Sequence, residues 1–210
     1  MIVIVLSVLI ALSAIMTIVA QYRHTKRLEY IFKPLTTSLI IVLALIEDDP
    51  SSTNFKWIIV GGLLASLAGD VFLMLESNHF MEGLASFLLA HVLYIVAFTD
   101  ASDGNAPLWY IIPFVAFGAV LLWALWPHLG SMRAPVMIYV GAILLMAFQA
   151  ANRWITTDTT PSLLGLIGAY LFVASDSVLA VERFRGTFRS APFWVLSTYF
   201  AAQWFIAMSI

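Results

Sequence analysis

The sequence predicts an all-α, polytopic membrane protein, with eight transmembrane helices in a single domain over 1–210 and both termini outside. Three observations carry that expectation. Apolar residues make up 62% of the 210 and charged residues only 10%, against about 45–50% and about 25% in soluble domains. With a mean hydropathy of +0.97, too little polar surface is left to coat a water-facing globule. The apolar residues also gather into runs of about 20, the length that crosses a ~30 Å hydrocarbon core. Finally, the basic residues collect in alternate loops, as in chains oriented by the positive-inside rule.

The runs follow in order as 1–20, 30–46, 55–75, 80–99, 107–126, 132–152, 161–181 and 190–210. The first starts at Met1, and its basic residues (Arg23, Lys26, Arg27) come behind it. That is the reverse of a secretory signal, so it reads as a span. The second is short and opens on Lys33-Pro34, where proline is tolerated in a first helical turn. The fifth carries Pro113. Gly62–Leu73 in the third and Gly168–Leu179 in the seventh share the pattern G-x7-D-x-x-L at an offset of 106 residues. A parallel 4+4 internal repeat is the reading that follows.

Orientation comes from the loops. Those after spans 1, 3, 5 and 7, with adjoining helix ends, carry Arg23, Lys26, Arg27, Lys33, Arg133, Arg183, Arg185 and Arg189; the opposite loops carry only Lys56 and Arg153. The basic loops are therefore expected in the cytoplasm. Glu47, Asp48, Asp49, Asp100, Asp103 and Asp158 fall on the outer side. The net charge of −2 is spread thinly, so no nucleic-acid partner is expected. Without cysteine, disulfides, thiolate nucleophiles and thiolate metal sites are excluded. No G-x-S-x-G elbow or P-loop occurs, and neither a His pair nor H-E-x-x-H supports a metal, so no metal or cofactor is expected.

The informative residues are the polar ones inside spans, because each charge near a bilayer centre costs about 2.5–3.5 kcal/mol on insertion scales. Asp70 and Asp176 lie well inside the third and seventh runs, and Lys33 reaches a similar depth in the second. A buried ion cluster that fixes helix packing is one reading. A functional site is the other, and the rarity of intramembrane charge favours it. Gly61, Ala65 and Gly69 form one row of small residues, and Gly62, Ser66 and Asp70 the next, so Asp70 should face a neighbouring helix. His91 is the one histidine inside a span, with Tyr94 nearby on its face; it reads either as hydrogen-bonded structure or as an orienter of an acid. Tyr199 and Gln203, one turn apart in the eighth run, are candidate substrate contacts. Gln149 and Asn152 read as structural.

GLLASLAGDVFLML (62–75, after Gly61) and FMEGLASFLLAHVLYIVAF (80–98) resemble the central signature of the YhhN family of lysoplasmalogenases. YIFKPLT (30–36), GAYLFVASDSVLAVERF (168–184) and YFAAQWFIA (199–207) extend the resemblance in order over most of the chain. Ala65 departs from it, standing where an aromatic often precedes the serine. The resemblance implies an integral membrane hydrolase that cleaves the vinyl ether of 1-alkenyl lysophospholipids. It implies Asp70 and Asp176 as the catalytic pair, with His91 in the A-H motif; read from the residues, Lys33, Ser66, Tyr94, Tyr199 and Gln203 are the substrate-binding candidates. The expected partners are the lysophospholipid and the bilayer, and the expected location is a bacterial inner membrane.

The chemistry suits two acids. Vinyl ether hydrolysis starts with proton transfer to carbon and passes through an oxocarbenium ion. One protonated and one ionised carboxyl group meet that need, as they do in glycosidases. Asp70, on the glycine-lined helix, is the sequence's candidate for the acid, and Lys33 for the phosphate. A proton-coupled transporter is the competing function, since buried Asp, His and Lys also build proton relays.

Overall fold

The computed structural model describes residues 1–47, 53–75 and 79–210; Asp48 and Asp49 lie outside them. Among the described residues the fold is all helix, with α1 (Ile2–Tyr22), α2 (Lys26–Ile46), α3 (Thr53–Met74) and α4 (Phe80–Asp100) followed by α5 (Ile112–Leu125), α6 (Arg133–Thr157), α7 (Thr160–Arg185) and α8 (Ala191–Ala207). Seven of these segments are long and apolar enough to cross a membrane. The eighth, α8, has 17 residues, about 25 Å at helical rise and the short limit for a span.

Most elements begin and end near the expected runs, and the departures have local causes. α2 starts a turn earlier than the expected 30, which leaves Pro34 in its interior. There the ring removes the amide that would bond to Tyr30. α5 is preceded by a 3-10 turn at Leu108–Ile111, and Pro113 falls in its first turn. α6 runs on to Thr157 and closes on Asp158 in a left-handed conformation. That extension takes Arg153 out of the expected outer loop and buries it, with its guanidinium 4.2 Å over the Phe55 ring and Nη2 donating to the Ser209 carbonyl. Asn152 pins the α4–α5 connection by accepting from the Ala106 amide and donating to the Gly104 carbonyl. α7 begins on a reciprocal Thr159/Ser162 cap with Pro161 in its first turn, and it continues to Arg185 before Gly186 turns the chain.

Successive helices pair as α1 on α2, α3 on α4, α5 on α6 and α7 on α8; α2 then packs on α3 and α8, and α6 on α7 and α4. Beyond these pairs α1 and α3 also pack on α8, while α5 also packs on α7. α1 and α5 turn most of their apolar side chains outward, as helices facing lipid do.

Small residues set the closest approaches. A Cβ on Gly69 would lie 2.6 Å from the Phe87 ring, and one on Gly168 would lie 2.9 Å from the Ala202 carbonyl of α8. Phe87 has side-chain freedom with which to adjust, whereas the α8 backbone does not. Gly168→Val is therefore expected to destabilise the bundle by about 2 kcal/mol, within the range for overpacking. Gly141, whose Cβ would meet nothing within 4 Å, is the control. Thermal unfolding in detergent should show a lower midpoint for Gly168→Val and none for Gly141→Ala; equal midpoints would contradict the close α7–α8 contact.

Candidate active site

Both aspartates line one cavity of about 510 Å³, which opens at the end of the bundle bearing the loops after α1, α3 and α7. That size suits a ligand of small-molecule or lipid-headgroup dimensions. Lys33, Tyr199, Phe87, Glu29 and Arg183 also line it. Helix geometry explains the convergence. The small-residue rows of α3 turn Asp70 inward until it is 1% exposed, and α2 and α8, both packed on α3, supply its partners.

The two acids have unlike surroundings. Asp70 Oδ2 accepts from the Thr37 hydroxyl at 2.6 Å and the Tyr199 hydroxyl at 2.7 Å, and Lys33 Nζ lies 3.4 Å from Oδ1. Two donors and an ammonium hold it as an ionised carboxylate would be held. Asp176 Oδ2 accepts one short bond, 2.5 Å, from the Tyr139 hydroxyl. His91 Nε2 is 3.9 Å from the same oxygen, beyond hydrogen-bond reach. Among the described residues no Lys or Arg forms an ion pair with Asp176.

Aromatic rings fill the space around these groups. Tyr199 meets Phe87 and Phe172 edge to face at 5.7 and 5.6 Å between centroids. His91 packs between Tyr139 and Phe172, at 5.0 and 4.8 Å. Phe87 and Tyr199 reach the cavity, so a cation formed there would have aromatic rings beside it.

The candidate residues therefore divide into two sets. Asp70, Asp176, Lys33 and Tyr199 reach the cavity; Ser66, Tyr94, His91 and Gln203 are fully buried behind its wall. Tyr94 donates to Gln203 Oε1 at 2.8 Å, and Gln203 Nε2 donates to the Tyr199 oxygen at 3.4 Å. This file of groups ends on Asp70. Ser66 stands near the Tyr94 hydroxyl without reaching hydrogen-bond geometry, and neither His91 nitrogen has a hydrogen-bond partner among the described residues. Lys33 is engaged with Asp70, and Arg183, 4.6 Å over the Phe80 ring, is a second cation on the wall. Among the described residues no three His, Cys, Asp or Glu side chains gather closely enough to hold a metal ion.

Thr37 and Tyr139 escaped the sequence reading. Thr37 lies one turn beyond Lys33 on α2. Tyr139 stands 37 residues before the aspartate it contacts, the same spacing as Lys33 before Asp70. Carrying the 106-residue offset from Lys33 would have found it.

Comparison with known proteins gives the chain its relatives. No solved structure matches it. It is 31% identical over 203 residues to the uncharacterized membrane protein YhhN of Escherichia coli O157:H7, covering 96% of each chain. It is 31% identical over 154 residues to a lysoplasmalogenase of Mycobacterium tuberculosis (strain CDC 1551 / Oshkosh), covering 69% of this chain and 56% of that one. The lysoplasmalogenase TMEM86A of Bos taurus is 31% identical over 178 residues, covering 80% of this chain and 69% of its own. The family model for the YhhN family matches residues 28–210. With its apolar helices and these relatives, the chain is an integral membrane protein that belongs to the YhhN family.

Proposed function

We propose that this protein is a lysoplasmalogenase, an ether hydrolase that cleaves the vinyl ether bond of 1-alkenyl lysophospholipids to a fatty aldehyde and a glycerophospho-alcohol such as glycerophosphocholine or glycerophosphoethanolamine. The observation that carries this reading is a pair of aspartates on one cavity wall, one held by a lysine and two hydroxyls and the other by a single tyrosine. The relatives named lysoplasmalogenase support it.

The surroundings suggest roles opposite to the sequence's candidate assignment. Asp176, with no ion-pairing Lys or Arg among the described residues, serves as the acid, and Asp70 as the carboxylate. Asp176 transfers its proton to the alkenyl carbon β to the ether oxygen, leaving an oxocarbenium ion beside Phe87 and Tyr199. Water adds at the α carbon and gives a proton to Asp70, forming a hemiacetal. Asp70 returns that proton to the glycerol oxygen as the carbon–oxygen bond breaks. The hemiacetal hydroxyl gives its proton to Asp176, so both groups regain their starting forms. This division of labour follows the two-carboxylate logic of oxocarbenium chemistry. Tyr199, Gln203 and Tyr94 hold Asp70 in place, and His91 packs behind Asp176 as a positioning residue.

The transport reading has less support, because α3 and α7 run unbroken past the two acids, unlike the interrupted helices of many transporters. The test is purified protein in nanodiscs given 1-alkenyl lysophosphatidylcholine, with aldehyde release followed by mass. Release from the alkenyl lipid and none from its saturated 1-alkyl counterpart is expected. No release from the alkenyl lipid, or equal cleavage of both, would contradict the proposal.

A further inference from the structure

The polar cavity does not end at Asp176. It shares Phe80, Phe87, Asp176 and Leu179 with a narrow apolar cleft of about 50 Å³. That cleft shares Phe117, Leu144 and Val173 with a second apolar pocket of about 220 Å³, lined by Phe114 and Tyr170. Along α5 this path covers the stretch from Leu121 to Pro113, about 12 Å at helical rise. It opens sideways where Phe117 and Tyr170 are 44% and 49% exposed. α5 itself buries only Gly118 and Leu125, so this side of the bundle is lightly packed.

The geometry points to this groove as the seat of the substrate's single hydrocarbon chain, with Phe117, Leu144 and Val173 as the constriction that sets which chains are accepted. The inference rests on the lysoplasmalogen reading above and deepens it. Asp176 lines both the polar cavity and the apolar cleft, whereas Asp70 lines only the former. In the substrate the reacting alkenyl carbons occupy the same junction, with the chain on one side and the ether oxygen and headgroup on the other. An acid that must reach the chain side of the double bond belongs where Asp176 stands; a base that activates water belongs where Asp70 stands. The narrow cleft also gives a physical reason for a lipid with one chain, since a second would find no space beside the first.

The probe is a saturated hexadecyl ether lysophosphatidylcholine carrying a diazirine at its chain terminus, added to the full chain in nanodiscs and mapped by mass after illumination. Adducts are expected on α5 and α7 around Phe114 and Tyr170, competed by unlabelled lysolipid. Val173→Phe should cut them by about tenfold and should lower kcat/KM for a hexadecenyl chain about tenfold relative to an octenyl one, a discrimination of the size hydrophobic pockets achieve. Leu144→Ala placed on Val173→Phe should restore both, which a misfolded variant cannot do. Adducts spread equally over α1, as for bulk bilayer lipid, or unchanged by Val173→Phe, would overturn the inference. Adducts in the groove without aldehyde release would leave the groove standing and reject the hydrolase reading. Aldehyde release with adducts elsewhere would reject the groove alone.

Discussion

Asp176→Asn is expected to lower aldehyde release on the order of 10³-fold, the usual scale for removing a general acid, while leaving the fold intact. The amide keeps the size of the carboxyl group and still accepts from the Tyr139 hydroxyl, its hydrogen-bond partner. No cation is left without its counter-ion, because among the described residues none forms an ion pair there apart from the distant His91 contact. What disappears is the proton for the alkenyl carbon. The loss should fall on kcat, with KM little changed, since the headgroup and chain contacts survive. Asp176→Glu, which keeps the acid but moves it, should retain measurable activity. Steady-state kinetics beside a thermal melt checks the pattern. A fully active Asp176→Asn protein would remove this residue from the chemistry.

Asp70→Asn should cost both activity and stability, and the second cost separates the two acids. Lys33 is largely buried against Asp70, with 12% of its side chain exposed, so the amide leaves an ammonium facing a neutral group. Breaking a buried pair in this way costs about 3 kcal/mol. Thr37 and Tyr199 can still donate to the amide oxygen, so the lysine alone carries the penalty. Adding Lys33→Met should restore the unfolding midpoint but not aldehyde release, because the base for water is still missing. Recovery of activity in that double variant would show that the pair serves packing alone.

Much of this site was legible in the sequence for one physical reason. Apolar spans tolerate few charges, so Asp70 and Asp176 stood out by their expected depth, and the small-residue rows of α3 correctly turned Asp70 inward. Hydroxyl and amide groups give no such signal. Thr37 and Tyr139 look like ordinary span residues until the helices are packed, and Ser66, Tyr94 and Gln203 cannot be sorted from cavity residues by depth alone. Arg153 misled because charges near a span end usually mark a loop, whereas here α6 continues and the guanidinium lies over the Phe55 ring and against the Ser209 carbonyl. The roles of the two acids were also out of reach, since they depend on which neighbours donate to each carboxyl group. Depth is a property of one helix, but hydrogen bonding is a property of several.

The central claim is that a carboxylic acid of this cavity protonates the alkenyl carbon and water then attacks the adjacent one. Hydrolysis of a 1-alkenyl lysophospholipid in D₂O, with immediate borohydride trapping of the aldehyde, tests it most directly. The account predicts a single deuterium on the carbon next to the former carbonyl carbon, delivered by the parent protein and not by Asp176→Asn. An aldehyde released without deuterium at that position would contradict protonation at carbon, and with it the proposed use of the two aspartates.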